Sequence, residues 1–183
     1  MRLKLIYNPT AGRGKTRRHI DGVERYLISR GADVDVQATT SAADLTRVAA
    51  EASRGRYDRV VIAGGDGSVH HAVRDFDLEH GVLANIPLGS GDDFARVAGV
   101  PRKPIAACDV VLTGRIREFD VAHANGQRYL GVAGFGFDSE VAAQAQKVKV
   151  LRGSAVYVYS IFRVLPKFTP HHVRLQIDGT SRE

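Results

Sequence analysis

The sequence predicts an α/β protein in which an open parallel sheet is followed by the start of an antiparallel, β-rich domain. Over the first 115 residues, short apolar runs alternate with amphipathic stretches of helical period. Strands and helices that alternate at this spacing require crossover connections between parallel strands. A turn at Asn125 and Gly126 then joins two strand-like runs, which is the strongest short signal of an antiparallel hairpin. We therefore expect a first domain over residues 1–115 and a second over residues 116–183.

The elements of the first domain follow from apolar periodicity and from helix end signals. Strands are predicted for RLKLIY (2–7), DVDVQA (33–38), RVVIA (59–63) and LANIPL (83–88). Helices are predicted over residues 15–31, 41–55, about 68–75, from about 92 onward, and 104–114. Gly31 ends the first helix, and Ser41 with Asp44 predicts a capping box at the start of the second.

The second domain is predicted to begin with the hairpin and to continue with a helix over residues 138–148. The next segment, 154–165, is rich in β-branched and aromatic residues, which favour a strand. Four apolar residues in it nevertheless keep helical spacing, so that we predict a helix: Val158, Ile161, Phe162 and Leu165. The chain closes with a strand that runs into an Asp178-Gly179 turn, and no returning strand is expected after it. We expect the second domain to continue beyond residue 183.

Composition and charge narrow the function classes. The 183 residues are 44% apolar, which is enough to fill a core, and the net charge of +6 favours anionic partners. The basic residues are scattered, without an aromatic platform or a recognition helix, so nucleic acid is not an expected partner. The only cysteine, Cys108, lies in an apolar stretch, which excludes disulfides and favours a reducing compartment. Without an apolar run of about 20 residues or a signal peptide, a cytoplasmic location is expected.

Three glycine-bearing turns each follow a predicted strand: NPTAG (8–12), GGDGS (64–68) and PLGSG (87–91). A P-loop is excluded because Pro9 stands where that motif requires glycine, and the dinucleotide fingerprint fails on glycine spacing. Taken singly, each turn can simply connect a strand to a helix. Turns at the carboxyl ends of parallel strands, however, open into one crevice. We therefore expect the three turns to converge on one phosphate-bearing ligand.

Carboxylates accompany two of these turns, where closing a loop requires none. Asp66 lies within the second turn, and Asp92 and Asp93 follow the third. Acidic residues beside a glycine-lined phosphate site hold Mg²⁺ or accept a proton from an attacking hydroxyl. This pattern indicates phosphoryl transfer, with Asp66 as the expected catalytic residue and Asp93 as the expected metal ligand.

The three turns occur in this order together with PLGSGDDFAR (87–96) and GVAGFGFDSEV (131–141). With these motifs the chain resembles the diacylglycerol kinase catalytic domain family, especially its soluble bacterial lipid kinases. The resemblance covers nearly the whole chain. The resemblance implies a Rossmann-like first domain similar to those of NAD kinases and phosphofructokinases. It also implies ATP and Mg²⁺ as cofactors and transfer of the γ-phosphate to a lipid hydroxyl such as that of diacylglycerol. A glutamate general base and a structural magnesium site are implied beyond residue 183.

The resemblance carries residue roles onto this sequence. It implies that ATP is lined by Asn8, Pro9, Thr10, Ala11, Gly12, Thr40, Gly64, Gly65, Asp66, Gly67, Ser68, Val69, His70 and Ser90. Asp66 is implied to position Mg²⁺·ATP or to accept the proton of the lipid hydroxyl, and Asp138 to lie near the acceptor lipid. Asp92 replaces the asparagine usual in the family, which exchanges a hydrogen-bond donor for a carboxylate.

Two other functions stay open at this point: a kinase of a soluble acceptor, like the NAD kinases, and a nucleotide-binding module without catalysis. The Gly-Phe-Asp motif that ends at Asp138, together with the position of the hairpin, favours the lipid kinase. Its expected partner is a lipid at an anionic membrane surface, which makes the protein peripherally membrane-associated. Whether it forms a homodimer stays open.

Overall fold

The computed structural model describes residues 1–10, 15–148, 154–170, 172–178 and 180–182. The chain divides into two compact units, Met1–Val132 and Ala133–Glu183. Residues 116–132, which include the hairpin, group with the first unit, whereas the sequence assigns them to the second domain. In the part of the chain that the structure describes, no helix is long and apolar enough to cross a membrane.

The first unit contains the predicted open parallel sheet. Its strands are β1 (Arg2–Tyr7), β2 (Asp33–Ala38), β3 (Arg59–Gly64) and β4 (Leu83–Pro87). They lie in the order β2-β1-β3-β4, and every pair of neighbours is parallel. The strand order therefore reverses between β1 and β3, and a crevice at such a reversal is where open α/β sheets bind ligands.

Helices cover both faces of this sheet because alternate residues of each strand point to opposite faces. They are α1 (Lys15–Ser29), α2 (Ala42–Ser53), α3 (Asp66–Val73), α4 (Asp93–Ala98) and α5 (Pro104–Thr113). Along β3, Val61 packs in a core with α1 and α5, whereas Ile62 packs in a second core with α2 and α3. Cys108 is fully buried in the first core, and this burial raises the pKa of its thiol to about 11.

Two local predictions for the first unit are confirmed in detail. The Ser41 side chain accepts a hydrogen bond from the Asp44 N–H at 3.1 Å and so caps α2. Strands β5 (Ala122–Ala124) and β6 (Gln127–Tyr129) form the antiparallel hairpin. Both of its turn residues have a positive φ, 49° at Asn125 and 77° at Gly126, which is the backbone of a type I′ turn.

The second unit contains α6 (Phe137–Lys147), α7 (Ser154–Val164), a 3-10 turn (Leu165–Lys167), β7 (Leu175–Ile177) and β8 (Thr180–Arg182). The helix predicted over 154–165 is confirmed, since α7 covers Ser154–Val164. The expectation of a missing returning strand is wrong, since β8 pairs with β7 in antiparallel register. Asp178 adopts a φ of 47°, and this turn is short enough to bring three residues back alongside β7.

Candidate functional site

The three glycine-bearing turns begin at one edge of the sheet. Strands β1, β3 and β4 are neighbours, and they end at Tyr7, Gly64 and Pro87 respectively. The carbonyl oxygen of Gly64 accepts a hydrogen bond from the Leu88 N–H at 3.2 Å, which ties the second turn to the third. The buried Asn85 side chain adds to this tie, because its Nδ2 donates to the carbonyls of Ile62 at 2.9 Å and of Gly64 at 3.4 Å at the end of β3.

Gly65 and Gly89 pack so closely that neither position has room for a side chain. A Cβ on Gly65 would stand 2.9 Å from Gly89 Cα, and a Cβ on Gly89 would stand 2.6 Å from Gly65 Cα. The Cβ on Gly89 would also stand 2.6 Å from Asp92 Oδ1. These glycines therefore let the backbones of the second and third turns touch, and glycine spacing alone did not predict which positions would meet.

A cleft of about 360 Å³ opens between the turns. It is lined by Asn8, Ala42, Leu45, Gly65, Gly67, Ser68, His71, Gly89 and Ser90. Five of the residues expected to line ATP are thus brought together: Asn8, Gly65, Gly67, Ser68 and Ser90. The cleft has one apolar wall from α2 and one glycine-rich wall from the turns, which suits a ligand with a flat apolar part and an anionic part.

The N-terminus of α3 points backbone N–H groups toward this glycine-rich wall. Ser68 and Val69 donate their N–H groups to the Gly65 carbonyl oxygen, at 2.9 and 3.2 Å. Asp66 and Gly67 come first in the helix, where an N–H has no acceptor within the helix. Their N–H groups and the helix dipole favour an anion at this end of the cleft.

Asp66 and Asp93 bring their carboxylates to the same side of Gly91. A Cβ on Gly91 would stand 3.1 Å from Asp66 Oδ2 and 3.4 Å from Asp93 Oδ2. The other oxygen of Asp66 accepts a hydrogen bond from the Phe94 N–H at 2.9 Å, which fixes the carboxylate between α3 and α4. Asp93 is exposed and pairs with Arg96 at 2.6 Å. One oxygen of each carboxylate therefore remains beside Gly91.

These residues fit a magnesium ion that is shared with phosphate groups. Mg²⁺ is commonly held by one or two carboxylates, with substrate oxygens and waters completing the shell, and two oxygens beside one glycine supply such a pair. No group of three or more histidine, cysteine, aspartate or glutamate side chains that could hold a metal ion is found within the described residues.

Among the other residues expected to line ATP, four described ones do not line the cleft: Pro9, Thr10, Thr40 and Asp66. Thr10 donates its N–H and its hydroxyl to Asn8 Oδ1, at 2.9 and 2.8 Å, across Pro9. Thr40 is exposed and donates its N–H to Asp44 Oδ2 at 2.9 Å. Ala11 and Gly12 lie outside the described residues.

Three expected residues of the second turn and α3 do not line the cleft: Gly64, Val69 and His70. Gly64 ends β3, and the hydroxyl of Ser68 lies directly over it. The Val69 side chain is buried in the core of α2 and α3. His70 contacts Arg74 Nη2 through its Nε2, at 3.2 Å. The histidine that lines the cleft is His71, one residue further along α3.

The imidazole of His71 has a lowered pKa in this cleft. Burial lowers the pKa of its imidazole, and the neighbouring Arg74 and His70 lower it further. Its carbonyl oxygen accepts a hydrogen bond from the Thr46 hydroxyl at 2.8 Å, which fixes α3 against α2. The sequence offered no signal for His71 over His70, because the choice depends on how α3 is rotated against the sheet.

Asp92 is a buried carboxylate and a structural part of the third turn. It is 4% exposed and adopts the left-handed region, with φ 55° and ψ 45°, which asparagine and aspartate tolerate better than most residues. Its Oδ1 accepts the Gly89 N–H at 2.8 Å, and its Oδ2 contacts Arg102 Nη2 at 3.4 Å. Arg102 also donates to the Ser90 carbonyl at 3.0 Å. Asp92 thus retains the acceptor of an asparagine, and Arg102 balances its charge.

We expect Asp92→Asn to stabilise the chain near neutral pH. Burial raises the pKa of Asp92 from its ordinary value of 3.8, although the Gly89 N–H and Arg102 oppose this. A raised carboxyl pKa means that stability present below about pH 4 is lost as the pH rises through the pKa of the folded state. Asparagine carries no titrating carboxyl, so the variant does not lose this stability, and its amide oxygen still accepts the Gly89 N–H. Urea unfolding of both proteins should show a gain for the variant near pH 7 that vanishes below about pH 4.

Arg102→Ala provides the partner variant for a double-mutant cycle. In the parent it leaves the Asp92 carboxylate buried without its cation, and we expect a loss of about 1–3 kcal/mol in the free energy of unfolding. In the Asp92→Asn background the loss should be smaller, because only the Ser90 carbonyl loses a partner. Equal losses in the two backgrounds would show that Arg102 does not balance Asp92.

Asp138 lies in the second unit, in the first turn of α6. It is exposed, and its carboxylate lies against Gly134. Phe137 beside it packs edge to face on Phe168, with ring centroids 5.2 Å apart, and this fixes the start of α6 within the unit.

The open sheet defines a doubly wound α/β protein, and its cleft lies at the carboxyl ends of the strands, where such folds bind ligands. The particular family follows from sequence comparison. Residues 2–124 match the diacylglycerol kinase catalytic domain, and residues 131–183 match the YegS C-terminal NAD kinase beta sandwich-like domain. The chain belongs to the diacylglycerol kinase catalytic domain family.

Relatives and solved structures agree with this assignment. The diacylglycerol kinase of Bacillus subtilis (strain 168) is 35% identical over 182 residues, which are 97% of this chain and 60% of that protein. The diacylglycerol kinase of Staphylococcus carnosus (strain TM300) is 29% identical over 182 residues, 97% of this chain and 59% of that protein. A crystal structure of a diacylglycerol kinase from Bacillus anthracis aligns with a TM-score of 0.63 and 30% identity, covering 70% of this chain and 48% of that one. This chain therefore spans about 60% of the length of the curated relatives it matches.

Proposed function

We propose that this chain carries the nucleotide site of an ATP-dependent lipid kinase, which transfers the γ-phosphate of ATP to a lipid hydroxyl such as that of diacylglycerol. The single observation that carries the proposal is the pair of carboxylates, Asp66 and Asp93, beside Gly91, which directly follows Gly89 and Ser90 of the cleft wall. A cleft that only held phosphate would gain nothing from two anions there. Phosphoryl transfer uses such carboxylates, because a metal cation must be bound and the reacting hydroxyl must lose its proton.

In this proposal the glycine turns hold the phosphates. The Asp66 and Gly67 N–H groups at the start of α3 bind phosphate oxygens, and the Ser68 and Ser90 hydroxyls in the cleft wall add side-chain donors. The contact between Gly65 and Gly89 keeps the two turns at a fixed separation. Leu45 and Ala42 on α2 supply the apolar wall for the nucleoside.

Asp66 and Asp93 are the residues that would hold Mg²⁺ through the oxygens beside Gly91. A bound Mg²⁺ neutralises charge that develops on the transferred phosphoryl group. Asp66 has a second capacity, because its Oδ2 is free of the contact that its Oδ1 makes with Phe94. In place of holding the ion, that oxygen could accept the proton of the acceptor hydroxyl, and in either role Asp66 is the proposed catalytic residue.

The lipid is the proposed acceptor because the matched relatives are named diacylglycerol kinases and both family profiles are present in order. We propose that the protein meets this lipid at an anionic membrane surface, to which its net charge of +6 attracts it. Asp138, at the exposed start of α6, is the proposed contact to the acceptor.

Transfer of labelled γ-phosphate tests this function, in a protein that carries this chain at the full length of its relatives. We expect label in a chloroform-soluble product when ATP, Mg²⁺ and diacylglycerol in mixed micelles are supplied, because the acceptor hydroxyl is presented at a surface. With NAD as the acceptor we expect no labelled product. Label on NAD alone would instead support a kinase of a soluble acceptor, and ATP binding without transfer to either would support a module without catalysis.

A further inference from the structure

A second cleft, of about 960 Å³, opens in the first unit between α2, the end of α3 and the β5–β6 hairpin. Basic side chains dominate its wall: Arg47, Arg54, Arg74 and Arg128 line it, against the carboxylates of Glu51 and Asp75. Nothing in the proposed transfer of phosphate to a lipid uses these residues.

Ion pairs among the described residues neutralise little of this positive charge. Arg47 bridges Asp44 at 2.7 Å and Glu51 at 2.9 Å, which balances that arginine and one of the two lining carboxylates. Arg54, Arg74 and Arg128 form no ion pair with a carboxylate anywhere in residues 1–10, 15–148, 154–170, 172–178 and 180–182. Three guanidinium groups thus share one cleft with a single remaining carboxylate among its described lining residues, that of Asp75, which forms no ion pair with them.

These three groups come from separate segments and meet at the C-terminal end of α3. Arg54 donates to the Asp75 carbonyl at 3.1 Å, and Arg128 donates to the next carbonyl, that of Phe76, at 2.9 Å. Arg74 is the residue that caps α3 and precedes both carbonyls. A helix C-terminus attracts cations, which explains how the arginines are held there.

The carbonyl contacts leave most of the hydrogen-bonding capacity of these arginines unused. A guanidinium carries five N–H donors, and Arg128 uses one of them on Phe76. Arg74 contacts His70 through Nη2, while its Nε is buried without a hydrogen-bond partner among the described residues. Two N–H groups of one guanidinium can donate to two oxygens of a phosphate, and one phosphate can accept hydrogen bonds from several guanidinium groups at once.

We propose that this cleft is a second anion site, which binds a phosphate group between Arg54, Arg74 and Arg128. It is separate from the proposed nucleotide cleft, because the two clefts lie on adjacent faces of α2. Ala42 and Leu45 line the first cleft, in which the nucleotide is proposed to bind, whereas Thr46 lines the second cleft. The Thr46 hydroxyl donates to the carbonyl of His71, whose residue lines the first cleft. The phosphate comes from a lipid headgroup or from a soluble phosphate, and both present the same oxygens to the arginines.

Titration of the 183-residue chain with inorganic phosphate, followed by amide NMR, tests the site. We expect the resonances of Asp75, Gly126 and Arg128 to shift with saturable dependence on phosphate, and not with chloride at equal ionic strength. Phosphate that binds only at the glycine turns would shift Gly65 and Gly89 and leave these three unchanged, and that result would overturn the proposal.

Arginine variants assign the response to the cleft. In Arg74→Gln/Arg128→Gln we expect phosphate to bind at least about tenfold more weakly, the scale of one lost charge-assisted hydrogen bond. Arg25→Gln/Arg163→Gln removes the same charge from exposed positions on α1 and α7 and should bind like the parent. Gln127→Glu adds a carboxylate at an exposed lining position, keeps every arginine contact, and should also weaken binding. Parent-like affinity in Gln127→Glu and in the double arginine variant would refute the site.

Flotation with vesicles separates the two sources of phosphate. We compare phosphatidylcholine vesicles with and without phosphatidate. Loss of phosphatidate-dependent flotation in Arg74→Gln/Arg128→Gln, but not in Arg25→Gln/Arg163→Gln, assigns the site to lipid headgroups. Equal flotation of both double variants, together with the loss of phosphate shifts in the first, assigns it to soluble phosphate.

Discussion

Replacing Asp66 by asparagine is expected to lower the rate of lipid phosphorylation by about 100-fold or more, the scale of a lost general base. The amide cannot accept the acceptor proton and is a poor ligand for Mg²⁺ beside Gly91. The measurement is transfer of labelled γ-phosphate to diacylglycerol, in a protein that carries this chain at the full length of its relatives.

The fold should survive this change, because the amide oxygen of asparagine can still accept the Phe94 N–H that Asp66 Oδ1 accepts at 2.9 Å. We expect a melting temperature close to that of the parent. Asp21→Asn, on the exposed face of α1, is the matched control and should keep the parent rate. A parent rate in Asp66→Asn would reduce Asp66 to a turn residue and leave the kinase proposal without its catalytic group.

Gly89→Ala is expected to destabilise the chain by about 3 kcal/mol, at the upper end of the usual cost of overpacking. Its new methyl group would stand 2.6 Å from Gly65 Cα and from Asp92 Oδ1, and neither backbone nor buried carboxylate can move aside cheaply. The third turn must shift away from the second, so binding of ATP with Mg²⁺ should weaken along with stability. Urea unfolding measures the first effect and calorimetric titration the second.

Gly22→Ala is the matched control for this substitution. Gly22 lies within α1, and a Cβ there meets no atom within 4 Å. Alanine in a helix interior should raise stability by roughly 0.5–1 kcal/mol and leave nucleotide binding unchanged. A Gly89→Ala chain as stable as the parent would mean that the two turns do not touch as described.

The parallel sheet was predictable because its signals are local. Each strand is a short run of strand-like pattern that a helix follows, and this alternation predicts parallel strands. Because parallel strands end at the same edge of a sheet, the turns after β1, β3 and β4 were expected to lie together. The capping box of Ser41 and the hairpin turn at Asn125 are likewise set by a few adjacent residues. The returning strand β8 was missed because three residues after a turn carry too little periodicity to recognise.

The cleft was predictable in its turns but not in its walls. Which glycine of one turn touches which glycine of another depends on register between strands, as with Gly65 and Gly89. His71 lines the cleft through the rotation of α3, and Arg102 reaches Asp92 across ten residues of chain. No periodicity encodes such contacts, since each results from packing between separate elements.

The central claim is that the three turns bind one nucleotide, and paramagnetic broadening by Mn²⁺·ATP tests it most directly. With Mn²⁺ in place of Mg²⁺, we expect the amide resonances of Thr10, Gly65 and Gly91 to lose intensity together at substoichiometric metal. Leu3 and Val60, near the opposite ends of β1 and β3, serve as controls because a strand rises about 3.3 Å per residue. Their resonances should persist longer. Broadening that reaches only one turn, or that reaches Leu3 and Val60 equally, would contradict a shared nucleotide site.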